Sequence, residues 1–223
     1  MNRSLFKGII VTALCSMLMA STSFSDTFYK GSKLRITITN ITKGQIFSPP
    51  IVITHNNNFT LFELGAPASP ELASLAEDGD PSLLVGEVSA SSDVHAYTVA
   101  DGPVLPGTSL TIDVDVDKSF RLVSLAGMLV TTNDAFVAVH SERIPLGLKH
   151  LEVAAYDAGS EVNSEDCDFI PGPPCGNGGV RDTDGAEGFV HIHSGIHGVG
   201  DLLSYRDDWR NPVAEITMQL IKE

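Results

Sequence analysis

Beyond residue 25, hydrophobic and polar residues alternate with a period of two over most of the chain. Leu34, Ile36 and Ile38 fall on one face of a strand, while Arg35, Thr37 and Thr39 fall on the other. Leu110, Ile112, Val114 and Val116 oppose Thr111, Asp113, Asp115 and Asp117 in the same way. Near the end, Ile216, Met218 and Leu220 alternate with Thr217 and Gln219. A strand with one apolar and one wet face belongs to an antiparallel sheet packed on one side. Residues 122–130 and 136–139 are more uniformly apolar and predict central strands, and 151–156 predicts another. Clusters of Gly, Pro, Asn and Asp mark the turns between them.

One segment breaks the alternation. Ser69 is placed to cap a helix, Pro70 suits its first position and Gly79 stops it. Leu72, Leu75 and Ala76 form its apolar stripe, so a short helix packs on a sheet, with a second short turn over 81–85. The expected fold is all-β, an antiparallel β-sandwich with a short helical insertion, forming one domain over residues 26–223. No internal repeat is present.

Residues 1–25 carry a different pattern. Arg3 and Lys7 precede an apolar run over 8–20 that is too short to span a bilayer, and small residues follow at Ser21, Ser23 and Ser25. This is the pattern of a secretory signal peptide cleaved before Asp26. Leu14 is too bulky for the position before a lipidated Cys15, so a lipoprotein anchor is not expected. Export places the product in the periplasm or outside the cell, with no membrane span in the remaining chain. Losing Arg3 and Lys7 takes the formal charge from −14 to −16. So acidic a surface repels phosphate backbones and attracts cations, which excludes a nucleic-acid partner.

Two cysteines remain after cleavage, Cys167 and Cys175, both in the Pro/Gly-rich segment 166–179. An oxidising compartment favours a disulfide between them. The alternative is two free thiols, and their spacing is wrong for a zinc knuckle.

The stretch from Thr54 to Asp80, THNNNFTLFELGAPASPELASLAEDGD, resembles the spondin domain. That family has a His, then a Phe and a Leu-Phe before Gly, then Ala-Ser and Leu-Ala-Glu-x-Gly. The likeness continues through Met128 and Asn133-Asp134-Ala-Phe-Val-Ala-Val, through Tyr156-Asp-Ala-Gly-Ser-Glu161, and into the segment 195–214. The resemblance implies a C2-like sandwich in which loops hold a calcium ion, acting as an extracellular module that binds a protein or glycan ligand. Carried over position by position, the calcium ligands it implies are Asp134, Asp157 and Glu161. Glu161 stands where the family has Asp, and Ala135 replaces an aromatic residue beside the first Asp.

Two further groups suit metals. Asp182 and Asp184 open a loop that looks like a fragment of an EF-hand. His191 and His193 share one face of a strand, and His197 and Asp201 lie close behind, so a transition-metal shell is chemically conceivable. The alternative function is therefore a metal-dependent hydrolase using His191, His193 and His197. Val190 and Ile192 are the better candidates for the core-facing side of that strand, which leaves both imidazoles near solvent or a loop. No Gly-x-Ser-x-Gly elbow and no phosphate-cradling glycine loop occur. The leading expectation is a calcium-binding module that adheres or binds rather than catalyses.

Overall fold

Strands with one apolar face must pair so that those faces meet, and two sheets do so here. The structure is a computed structural model and describes Tyr29 and residues 31–222. The expected signal peptide, residues 1–25, lies outside the described residues. The strands are β1 (Ser32–Asn40), β2 (Ile51–His55), β3 (Val94–Val99), β4 (Ser109–Asp115) and β5 (Leu122–Met128). They continue as β6 (Ala135–Arg143), β7 (Lys149–Val153), β8 (Ala155–Asp157), β9 (His191–Ile192) and β10 (Ala214–Lys222). One sheet has the order β4-β1-β10-β7 and the other β3-β2-β5-β6-β8-β9. Every pairing is antiparallel.

The alternation in β1 translates directly into this arrangement. Leu34, Ile36 and Ile38 are fully buried between the sheets with Val52, Leu125, Val137, Ile216 and Met218. On the opposite face, the β1–β4 register sets complementary polar groups together: Arg35 donates to both Asp113 carboxylate oxygens (2.8 and 2.6 Å), and Thr37 meets Thr111 at 3.0 Å. Each aliphatic side chain buried this way contributes about 1.5–3 kcal/mol, so a slip of one residue would forfeit the whole set.

The uniformly apolar strands have a different cause. β2, β5 and the first half of β6 are buried on both faces. Their second face packs under two helices, α1 (Pro70–Asp78) and α2 (Ser82–Ala90), in a separate core containing Ile51, Ile53, Leu72, Leu75, Leu84, Val88 and Phe136. α1 has the ends its sequence predicts. Ser69 accepts from the Leu72 N–H at 3.2 Å, and Gly79 ends the helix at φ 68°. A side chain at Gly79 would press on Ser48 Cβ at 2.8 Å, so the stop also needs a glycine for space.

Two expectations change. The predicted turn over 81–85 is a full helix, α2, started where Asp80 accepts from the Ser82 N–H and Oγ (2.9 and 2.6 Å). The predicted strand 151–156 is two strands in different sheets, β7 and β8, because the chain crosses the sandwich at Ala154. Asn211 fixes the crossing by accepting from the Ala155 N–H at 2.9 Å.

Cys167 and Cys175 form the disulfide, closing a sequence separation of 8. A loop this short restricts the unfolded chain modestly, so reduction is expected to cost about 2–3 kcal/mol and leave the domain folded. Denaturant unfolding with and without reductant measures this. Collapse of the sandwich on reduction would show that the loop holds more than its own ends.

Candidate metal centre

Asp134 immediately precedes β6 and Asp157 ends β8, and the register pairs Ala135 with Asp157, so both acids emerge at the same end of the sheet. The Ala158 N–H donates to the Asp134 carbonyl at 3.2 Å, tying the two segments together. The turn before Asp134 is shaped by Thr132, whose Oγ1 donates to the Leu129 carbonyl (2.6 Å) and accepts from the Ala135 N–H (3.0 Å).

After Asp157 the chain turns sharply. Asp157 Oδ1 accepts from the Gly159 N–H at 2.7 Å, and Gly159 takes the left-handed conformation, φ 64°. That turn aims two consecutive backbone donors at one oxygen: the Ser160 and Glu161 N–H groups donate to Asp134 Oδ2 at 2.7 and 3.0 Å. Glu161 then reaches the next loop, where its Oε1 accepts from the Asp182 N–H at 2.9 Å.

All three carboxylates, Asp134, Asp157 and Glu161, are fully buried. Two of their oxygens, Asp134 Oδ1 and Glu161 Oε2, are shielded from solvent and have no hydrogen-bond partner. Burial, and next the charge of Asp157, hold the Asp134 carboxyl well above the usual carboxylate range. Burial likewise pushes Glu161 up to about 7. Arg181, whose charge acts on Glu161, makes its ion pairs with Glu77 and Asp78 instead. Hard carboxylate oxygens, two of them without partners, on the segment before β6 and on the 157–161 turn are the kind of donors calcium takes. The donor chemistry suits that ion, although among the described residues Asp134, Asp157 and Glu161 do not bring their ligand atoms within 4.8 Å of one another.

The histidines do not gather as a shell of their own. His193 is buried, and its Nδ1 accepts from the Gly195 N–H at 2.9 Å. Its Nε2 must therefore carry the proton and donate to Asn163 Oδ1, 3.0 Å away. Both nitrogens are thus occupied, and burial lowers the ring's pKa to about 4. His197 contacts Ser194 Oγ at 2.9 Å through Nε2. Asp201 accepts from the Cys167 N–H at 3.1 Å. Asp182 is engaged through its backbone with Glu161 and Val162, and Asp184 lies exposed in the turn beyond it.

The expected facing of this segment is corrected. Ile192 is exposed and His193 is buried against Trp209, with ring centroids 5.0 Å apart. Strand alternation does not govern here because β9 is only two residues long, His191–Ile192. Val190 is pinned outside it, exchanging backbone hydrogen bonds with Gly65 and Ala66 (both 2.8 Å).

Among the described residues, His191 joins a group that sequence spacing did not suggest. The β8–β9 register sets His191 opposite Asp157. Asp157, Glu187 and His191 each offer a ligand atom, all within 4.8 Å of one another; Asp134 and Glu161 are not part of that group. Glu165 was also missed. It is buried, and its carboxylate accepts from three consecutive N–H groups, His197, Gly198 and Val199, at 2.5, 2.7 and 2.9 Å. An acid in a loop gives no sequence sign of facing such a backbone nest.

The motif residues near the helices have packing roles. His55 is buried, with Nε2 against Ser124 Oγ (2.8 Å) and Nδ1 against the Asn56 carbonyl (2.8 Å). Phe59, Leu61 and Phe62 fill the core beneath α1 and α2.

The family model described as Spondin_N matches residues 39–163, more than half of the 223-residue chain. The match includes Asp134, Asp157 and Glu161, and ends before His191. No curated protein matches the chain.

Proposed function

The chain belongs to the Spondin_N family, an extracellular-type module, and we propose that it is a secreted or periplasmic binding domain whose loops are locked by calcium. Its partner is an extracellular protein or glycan, and its role is adhesion or ligand capture rather than catalysis. The observation that carries the calcium reading is the pair of buried oxygens without partners, Asp134 Oδ1 and Glu161 Oε2, flanking buried Asp157. Asp134, Asp157 and Glu161 would hold the ion, which supplies the positive charge that these acids otherwise lack. The chain's own contribution is the turn at Gly159, which aims the Ser160 and Glu161 N–H groups at one Asp134 oxygen and leaves the other unpaired. The disulfide supports an oxidising destination. Among the described residues no helix is long and apolar enough to cross a membrane. Against the hydrolase alternative stands His193, whose two nitrogens are already committed.

The test is thermal melting in chelator and in millimolar calcium. At a hundredfold excess over Kd, calcium is expected to stabilise the wild-type chain by about 2.7 kcal/mol. Asp134→Asn should lose most of that response. In chelator the same variant should melt at or above wild type. Its amide oxygen keeps the Ser160 and Glu161 donors, and a buried negative charge is gone. An unchanged wild-type melt, or an asparagine variant that responds in full, overturns the calcium assignment.

A further inference from the structure

Asp157, Glu187 and His191 come from three different pieces of backbone, and their arrangement is not that of a solvated acidic turn. Asp157 is fully buried at the end of β8, His191 is half-buried opposite it on β9, and Glu187 is exposed four residues earlier. The imidazole is oriented. His191 Nδ1 lies 3.0 Å from the Ile192 carbonyl, which can only accept, so Nδ1 carries the proton. The other nitrogen, Nε2, then presents a bare lone pair. It is shielded from solvent, has no hydrogen-bond partner, and sits 3.7 Å from Asp157 Oδ1. A lone pair held against a carboxylate oxygen is repulsive unless a second ring proton or a metal cation lies between them. Histidines that ligate metals through one nitrogen are oriented in this manner by a carbonyl on the other.

The carboxylates are oriented too. Asn163 Nδ2 donates to Asp157 Oδ2 at 2.7 Å and to Glu187 Oε1 at 3.3 Å. The amide cannot flip without facing its NH2 toward the protonated Nε2 of His193, whose tautomer is set by Gly195. One backbone N–H therefore governs, through His193 and Asn163, how two acids are presented beside His191.

We propose that Asp157, Glu187 and His191 form a second cation site, adjoining Asp134 and Glu161 through Asp157, that takes a divalent transition metal of the zinc class. One imidazole with two carboxylates is a borderline donor set that zinc accepts and calcium, an all-oxygen ion, does not favour. Tetrahedral zinc with bonds near 2.0 Å places its ligand atoms roughly 3.3 Å apart, whereas His191 Nε2 and Asp157 Oδ1 stand 3.7 Å apart and the three ligand atoms lie within 4.8 Å of one another. Glu187, exposed and held only by the long 3.3 Å hydrogen bond from Asn163, is the side chain that can move in to close that difference. Its exposure also leaves the outer coordination position to water.

The experiment is calorimetric zinc titration of the purified, disulfide-bonded protein in millimolar calcium. One equivalent of zinc is expected to bind. His191→Gln and Glu187→Gln should each weaken it about tenfold or more, while both keep the calcium-induced rise in melting temperature. Asp134→Asn should keep the zinc. Glu187 is exposed, so its variant removes no core packing and decides the matter if His191→Gln fails to fold. Absence of saturable zinc binding, zinc binding unchanged in both variants, or zinc displaced one-for-one by calcium would each overturn the proposal. Zinc binding to a protein that ignores calcium would leave this inference standing and remove only the calcium reading.

Discussion

Gly159→Ala is expected to destabilise the domain by roughly 4 kcal/mol. The residue sits at φ 64°, where a Cβ meets the following carbonyl oxygen. Space is the larger obstacle. A Cβ at this position would lie 2.3 Å from the Phe189 carbonyl oxygen and 2.7 Å from its nitrogen, both backbone atoms that no rotamer change can move. Relief requires parting the 157–161 turn from the 187–191 segment, which breaks the Gly188 N–H to Gly159 carbonyl hydrogen bond of 2.8 Å. The same movement pulls His191 away from Asp157. Denaturant unfolding checks the stability, with Ser160→Ala, a half-buried neighbour, expected to cost well under half as much. A loss below about 1 kcal/mol for Gly159→Ala would mean that the two segments are not held this closely in solution.

The same glycine shows how far the sequence reading reaches. Its place after Asp157 marks a turn, and that turn brings the Ser160 and Glu161 N–H groups to Asp134 while the Glu161 carboxylate reaches the Asp182 N–H. It gives no hint that the outer side of the curl lies on Phe189, thirty residues later in the chain. The fold was legible wherever one physical demand dominated. Period-two alternation located β1, β4 and β10 because those strands have one wet face. Uniformly apolar β5 and β6 read as central strands because both faces are covered, one of them by α1 and α2. Reading failed where two demands compete. At 151–156 the apolar pattern runs on while the chain changes sheets, since Leu151, Val153 and Ala155 all pack on the same cluster between the sheets. At 190–193 a two-residue strand is too short for alternation to decide which side chains face inward.

The acids divide in the same way. Asp134, Asp157 and Glu161 were found through a family resemblance, and nothing in their local sequence separates them from solvated turn acids such as Asp184. Their difference is burial, which is a property of the assembled loops. Glu187 lies in the loop that Asp182 and Asp184 open, and its relation to His191 depends on the β8–β9 register. That pairing joins residues 157 and 191 across a long and mostly irregular segment. Long-range register of this kind leaves no signature in composition or spacing.

Trp209→Ala is expected to cost about 3–5 kcal/mol, the range for removing a large aromatic ring from a core. Trp209 is the chain's single tryptophan, 6 % exposed, and it belongs to the cluster between the sheets. Its ring walls the buried imidazole of His193 at 5.0 Å. That contact gives the variant a second consequence. Without the wall, water reaches His193 and the imidazole can turn, so Asn163 is no longer held in one orientation by it. Asp157 and Glu187 then lose the shared amide donor that presents them to His191. Zinc affinity should therefore fall in Trp209→Ala, although among the described residues Trp209 makes no hydrogen bond to Asp157, Glu187 or His191. Trp209→Phe keeps an aromatic wall and should retain most of both the stability and the zinc affinity. Circular dichroism must follow the unfolding, since the variant removes the fluorophore. A stability loss below about 1 kcal/mol for Trp209→Ala would mean that the 209–213 segment does not close the core. Full zinc affinity in a folded Trp209→Ala protein would show that Asn163 holds its orientation without the His193–Trp209 contact.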